Sequence, residues 1–169
     1  NLSLYFFDGL QWNEADILDG LNLALSGWTD FFVTSTHKLW IATLDGMIAF
    51  DEQEWRLLDS DFIPTWLVQT SDGRLWSQSW RSGLASFNGQ KWQEELDFGK
   101  GFIGNPQIGS SVLVTSTDKI LIATNEGLFQ YEPGSKTLTD LKLGNVNVRQ
   151  IYQARNQFIW VATDDGLYL

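Results

Sequence analysis

Four short stretches of this sequence are versions of one another, and that self-similarity restricts the fold more than any other feature. They read Lys38-Leu39-Trp40-Ile41-Ala42-Thr43, Arg74-Leu75-Trp76-Ser77-Gln78-Ser79, Ile120-Leu121-Ile122-Ala123-Thr124 and Phe158-Ile159-Trp160-Val161-Ala162-Thr163. A glycine follows each, at Gly46, Gly83, Gly127 and Gly166, with spacings of 37, 44 and 39 residues. A second landmark comes after the glycine. It reads Phe50-Asp51-Glu52-Gln53-Glu54-Trp55, Phe87-Asn88-Gly89-Gln90-Lys91-Trp92 and, near the start, Phe7-Asp8-Gly9-Leu10-Gln11-Trp12. Tyr131-Glu132-Pro133-Gly134 keeps the aromatic and the turn but has Leu138 where the others have Trp.

Each unit divides into four short strands, a to d. In the first complete unit these are expected near Asp30–Thr36, Lys38–Leu44, Met47–Asp51 and Glu54–Asp59. Asp45-Gly46, Asp72-Gly73, Asn88-Gly89 and Asp165-Gly166 supply turns, because Asp, Asn and Gly tolerate the positive φ of tight hairpins. Such a meander cannot bury both faces alone, so it must stack on a neighbour. Radial stacking of meanders gives an all-β propeller of four-stranded antiparallel blades. The expected layout is a partial blade over 1–14, blades over 29–59, 62–96 and 110–141, and a partial blade over 146–169. About four blades are present. Leu4–Asp8 and Gly166–Leu169 fall at the same phase of the repeat, so a stretch of a larger propeller is expected, with a closed four-bladed ring as the alternative.

The pattern of turn, Leu-Trp-Ile-Ala-Thr, two residues, Gly, aromatic, Asp-Gly and Trp resembles the two-component regulator propeller repeat. Ala42, Ala123 and Ala162 stand where that repeat usually has its first Gly. The resemblance covers nearly the whole chain, with gaps near 15–28 and 98–109. It implies the extracytoplasmic, periplasmic sensing region of a bacterial signal-transduction protein.

Composition narrows the chemistry. The net charge of −10 disfavours nucleic acid, whose affinity comes from Lys and Arg on phosphates, and also an anionic membrane surface. With no cysteine there is no disulfide and no thiolate metal site. No apolar run is long enough to cross a bilayer as a helix, so no direct membrane contact is expected. A single histidine, His37, lies in a predicted a–b turn, and there is no nucleophile elbow or phosphate loop. The carboxylate groups Asp164-Asp165, Glu94-Glu95 and Asp51-Glu52-Glu54 fall in turns and on an outer strand, where solvation is expected. Together these point to a non-catalytic module without cofactor or metal. The alternatives are a structural propeller for dimerisation or docking, and a propeller hydrolase or a lyase of the virginiamycin-lyase-like group. Such an enzyme would be expected to present a rim histidine.

Two rows of Trp recur in repeat register and are expected to pack: Trp40, Trp76 and Trp160, and Trp12, Trp55 and Trp92. Trp28, Trp66 and Trp80 lie outside both rows and are better placed for a partner. The second complete unit breaks the pattern with Ser77-Gln78-Ser79-Trp80-Arg81-Ser82. Exchanging Ile for Ser on a buried strand gives up about 1.5–3 kcal/mol of apolar burial, and repeats tend to break their own pattern where a site is built. Trp80 offers a flat apolar face, and Arg81 a fixed cation for a carboxylate or sulfate. The b–c and d–a loops share one rim. The expected ligand-binding residues are therefore Trp80, Arg81, Asp45, Glu126, Asp165, Trp28 and Phe102, the last in the Gly-rich segment 98–109. Their partner would be a small molecule or glycan, while other blades or a second subunit would cover the end blades. Exposed end faces predict self-association on light scattering, whereas a monodisperse monomer would indicate a closed small ring.

Overall fold

The computed structural model describes residues 4–15, 27–50, 54–59, 62–79, 82–96 and 111–169. Every regular element among them is a strand. β1 (Leu4–Phe7) and β2 (Trp12–Ala15) form a two-stranded ribbon. The second blade holds β3 (Trp28–Val33), β4 (Leu39–Thr43), β5 (Gly46–Phe50) and β6 (Trp55–Asp59). The third holds β7 (Val68–Gln69), β8 (Leu75–Ser79), β9 (Ser82–Phe87) and β10 (Trp92–Leu96). The fourth holds β11 (Val112–Val114), β12 (Ile120–Thr124), β13 (Gly127–Glu132) and β14 (Thr137–Asp140). The fifth is three-stranded: β15 (Val148–Gln153), β16 (Ile159–Thr163) and β17 (Gly166–Tyr168). Strands pair antiparallel in chain order within each sheet. The fold is a β-propeller built of four-stranded antiparallel blades.

Strand b explains the repeat. Ile120–Thr124 is buried at all five positions. A strand covered on both faces reads as a nearly continuous apolar run rather than an alternation, which is why Leu-Trp-Ile-Ala-Thr has no polar phase. Its two faces feed two cores. Ala42, Met47, Leu67, Leu75 and Phe87 pack between the second and third blades. Trp66, Trp76, Leu84, Ile120, Ile122 and Tyr131 pack between the third and fourth, and Leu121, Ala123, Leu128, Val148, Ile151 and Val161 between the fourth and fifth.

The two Trp rows do different work. The strand-b indoles reach across to the next blade: Trp40 meets Phe87 at 5.4 Å and Trp76 meets Tyr131 at 5.8 Å, both edge-on. The second row stays within its own blade, pairing Trp12 with Phe7, Trp55 with Phe50 and Trp92 with Phe87 across the c–d hairpin. The fully buried Trp76 contrasts with Trp160, which is 38% exposed, and Trp12, which is 69% exposed.

Two turn designs alternate around the structure. Each a–b loop carries a residue at positive φ, namely His37, Gly73, Asp118 or Gln157. Its N–H bonds back three residues, to Thr34, Thr70, Thr115 or Ala154 respectively. This is a type I turn closed by a left-handed residue. The b–c turns instead use threonine. The Thr43 hydroxyl donates to the Gly46 carbonyl at 2.9 Å and accepts the Asp45 N–H at 3.1 Å. Thr124 and Thr163 repeat both bonds with Gly127 and Glu126, and with Gly166 and Asp165. At Gly127, with φ at +132°, an added Cβ would lie 2.8 Å from the Gly144 carbonyl oxygen, so a side chain is excluded there twice over.

Thr43→Val keeps the volume but leaves the buried Gly46 carbonyl and the Asp45 N–H without this partner. It is expected to lower unfolding stability by about 1–3 kcal/mol. The readout is a lower urea midpoint at unchanged slope, with a smaller effect from Thr163→Val at the more exposed equivalent.

Candidate functional site

The antiparallel order of each blade sends its b–c turns and d–a connections to one rim and its a–b and c–d turns to the other. The residues expected to bind ligand belong to the first rim. Asp45, Glu126 and Asp165 occupy equivalent b–c turns, exposed, with their backbone N–H groups anchored by Thr43, Thr124 and Thr163. Each is held by its own blade's turn. Glu126 also borders a cavity of about 570 Å³ shared with Phe129, Asp140, Lys142, Gly144 and Asn145. In the fifth blade the next-door Asp164 accepts hydrogen bonds from Arg149 and Asn147. The Arg149 bond is the main reason its carboxyl stays below the usual range. Trp28 opens β3 and pairs with Thr43 through the backbone. Trp80, Arg81 and Phe102 lie outside the described residues.

The segment that breaks the repeat has an internal role. Ser77 and Gln78 are buried. The Gln78 carbonyl accepts the Thr65 N–H at 3.0 Å and the Thr65 hydroxyl at 2.9 Å, and its side-chain oxygen accepts the Trp66 indole N–H at 3.2 Å. Strand a is only two residues long in this blade, and the preceding 64–67 segment is fastened to strand b by these polar contacts instead of a full ladder. Trp66, expected to be available to a partner, is therefore a core residue at 9% exposure. The sequence signal was the joint presence of Pro64, which cannot donate to a ladder, and of Ser77-Gln78 facing the residues that follow it. β9 begins at Ser82, which pairs with Ser79 after a register shift at Gln78, and in sequence three residues separate Ser79 from Gly83 where two separate Thr from Gly in the other b–c turns.

The expectation of solvated carboxylates fails at Glu95. Its side chain is 5% exposed, at the bulge of β10. It accepts hydrogen bonds from Lys136 of the fourth blade at 2.8 Å and from Ser86 at 2.9 Å. Burial alone would raise its pKa, but the Lys136 and Ser86 bonds outweigh it and hold the carboxyl below the ordinary value. The same contact raises Lys136. Asp30 plays a related part between the second and third blades. Its carboxylate accepts the Leu67 N–H at 2.8 Å, and burial raises its pKa.

The a–b rim is chained turn to turn. The Ser35 N–H donates to the Gln69 side chain at 3.0 Å, and Ser71 donates both its N–H and its hydroxyl to Asp118. Two cavities open here, of about 560 and 680 Å³. The larger is lined by a-strand ends and a–b turns of all four of these blades. His37 sits exposed on this rim. Among the described residues no group of three or more His, Cys, Asp or Glu is arranged to hold a metal.

With this geometry in view, the comparisons with known proteins are consistent with one another. Residues 142–165 match the Two component regulator propeller family, so the chain carries that repeat. In structure it is similar to the extracellular domain of BT4673 from B. thetaiotaomicron, described as a one component system, with a TM-score of 0.75 at 15% identity. It is also similar to that of BT3049 from the same organism, described as a hybrid two component system, with a TM-score of 0.69 at 17% identity. The matches cover 98% of this chain but 24% and 25% of those chains. The chain thus spans about a quarter of their length. Catalytically inactive virginiamycin B lyase from Staphylococcus aureus, with quinupristin, shares the fold at a TM-score of 0.64 and 13% identity. That match covers 98% of this chain and 61% of the lyase. No match was found among the curated proteins.

The Glu95 contact has a pH signature. Its folded pKa is depressed, so its stabilisation is present above the ordinary carboxylate pKa and is lost as pH falls through the folded value. The stability difference between wild type and Glu95→Gln is expected to be about 1 kcal/mol near neutrality and to shrink on acidification. Urea titrations across the acidic range check this, and a gap that widens at low pH contradicts it.

Proposed function

We propose that this chain is a non-catalytic recognition module. On this reading it is part of the extracytoplasmic, periplasmic ligand-sensing propeller of a bacterial signal-transduction protein. The observation that carries the reading is the regulator-propeller repeat at residues 142–165, set in a fold similar to the extracellular domains of one- and two-component systems. The ligand is a small molecule or glycan bound on the rim of b–c turns and d–a connections, where Trp80, Arg81, Asp45, Glu126, Asp165, Trp28 and Phe102 would meet it. The Glu126 cavity supports that choice of rim, because its lining offers a carboxylate, an ammonium group and amide hydrogen-bonding groups beside Phe129. Other blades of the same propeller, or a second subunit, cover the end faces.

A second reading, a scaffold for dimerisation or docking, is favoured by the apolar side chains at the two ends. Tyr5, Phe6, Phe7 and Trp12 in the first ribbon, and Tyr152, Phe158 and Leu167 in the fifth blade, are all more than half exposed. Exposed aromatic and aliphatic side chains grouped on these strands favour an interaction face. The lyase reading has the shared fold behind it. Against it, the chain's one histidine lies on the a–b rim, away from the b–c turns.

The test is intrinsic tryptophan fluorescence against a panel of oligosaccharides and small acids, with Trp80→Ala, Arg81→Ala and Glu126→Gln beside wild type. Saturable quenching that all three variants weaken is the expected outcome. A folded protein that responds to nothing in the panel favours the scaffold. Turnover of a streptogramin would overturn the non-catalytic reading.

A further inference from the structure

The repeat makes the clefts between blades comparable position by position, and two neighbouring clefts differ in how their charged and polar groups are matched. Counting from the c–d hairpin Trp, Glu95 lies three residues after Trp92, and Leu58 lies three after Trp55. Both sit at the register shift of strand d. Between the third and fourth blades this position presents the chain's own carboxylate, satisfied by Lys136 and Ser86, with Arg74 adding a smaller electrostatic pull. Between the second and third blades the corresponding residues are Leu58 for Glu95, Gln90 for Lys136 and Ala49 for Ser86. The carboxylate position of this earlier cleft is apolar.

The cation of that cleft has been kept. Lys38 occupies the position that Arg74 holds one repeat later, and among the described residues it forms no ion pair. It lines the cavity of about 560 Å³ at the a–b rim, together with Trp40, Phe87, Asp72, Arg74 and Asn88. Asp72 does not supply the missing anion. Its carboxylate accepts from the Thr70 hydroxyl at 2.6 Å and from the Arg74 N–H at 3.1 Å, and Arg74 Nε lies 3.8 Å away.

Donors also exceed acceptors along the Trp40 wall. In the next blade the Trp76 indole N–H donates to the Thr70 hydroxyl at 3.0 Å. The equivalent Thr34 hydroxyl is engaged with Thr36 at 2.9 Å, and the buried Trp40 N–H has no acceptor.

We propose that this cleft is a second ligand site, separate from the opposite rim, that takes a small organic acid. The carboxylate pairs with Lys38, which stands where Arg74 adds its electrostatic pull on Glu95 one blade later. The apolar body lies against Trp40 and Phe87, whose rings meet edge-on at 5.4 Å. A charge-assisted bond to an ammonium group combined with aromatic contact is the usual composition of such a pocket.

Fluorine NMR titration with para-fluorobenzoate tests the site, with para-fluorobenzamide as the uncharged analogue. Wild type is expected to bind the acid saturably and at least about tenfold more tightly than the amide. Lys38→Gln, at the exposed mouth, is expected to abolish that preference. Circular dichroism reports whether the variant folds. Equal binding of acid and amide, unchanged acid binding in folded Lys38→Gln, or no binding by folded wild type overturns the proposal. Loss in Arg81→Ala with retention in Lys38→Gln also overturns it, by moving the ligand to the opposite rim, and leaves the sensor reading standing.

Discussion

Everything in this molecule depends on strand b being covered from both sides. A lone four-stranded meander of this sequence would leave Trp76, Ile120 and Ile122 in water. Stacking them on the next blade removes them from it, at roughly 1.5–3 kcal/mol for each large side chain fully buried. The edge-on contacts of Trp40 with Phe87 and of Trp76 with Tyr131 set how closely successive blades approach. Directional bonds then fix the angle between them. Asp30 reaches the Leu67 backbone, Ser71 reaches Asp118, and Lys136 reaches Glu95. Nonpolar burial supplies the drive for stacking, and these polar contacts supply its geometry.

The same contacts explain why the fold was legible from sequence while parts of the site were not. Glycine spacing and the Thr-x-x-Gly turn are local, and they located the b–c hairpins of the second, fourth and fifth blades because each turn satisfies its own hydrogen bonds. The burial of Trp66 and Glu95 is not local. It is decided by what the neighbouring strand or blade offers, an amide oxygen from Gln78 in one case and an ammonium from Lys136 in the other. A pair such as Glu94-Glu95 looks uniformly solvated until it is known that β10 bulges there and that a lysine faces it. In sequence the Ser77-Gln78 departure reads as the mark of a binding site, and what the structure shows there is a set of polar contacts that hold a shortened strand a.

Charge follows the same division between local and inter-blade causes. The acidic residues of the b–c turns, Asp45, Glu126 and Asp165, stand exposed, and their excess contributes to the net charge of −10. Lys38, Arg74, Lys119 and Arg155 lie in or beside the a–b turns. Asp72 and Asp118 stand in the same turns, so cations and carboxylates are interleaved on that rim, and exposed charges on it interact over about a Debye length, roughly 8 Å at physiological salt.

The threonine of the b–c turn carries a consequence for how such a protein can change. Because the Thr43, Thr124 and Thr163 hydroxyls themselves bond the Gly carbonyl and the preceding N–H, those turn bonds need no side chain from the two residues between Thr and Gly, and Asp164 is free to bond Arg149 and Asn147 instead. Leu44-Asp45, Asn125-Glu126 and Asp164-Asp165 occupy that slot in the three blades. A lineage could rewrite these pairs freely, blade by blade, while the scaffold beneath them stayed intact. Separating the grammar of the fold from the vocabulary of its rim lets one repeat be copied many times and still come to read different chemical messages.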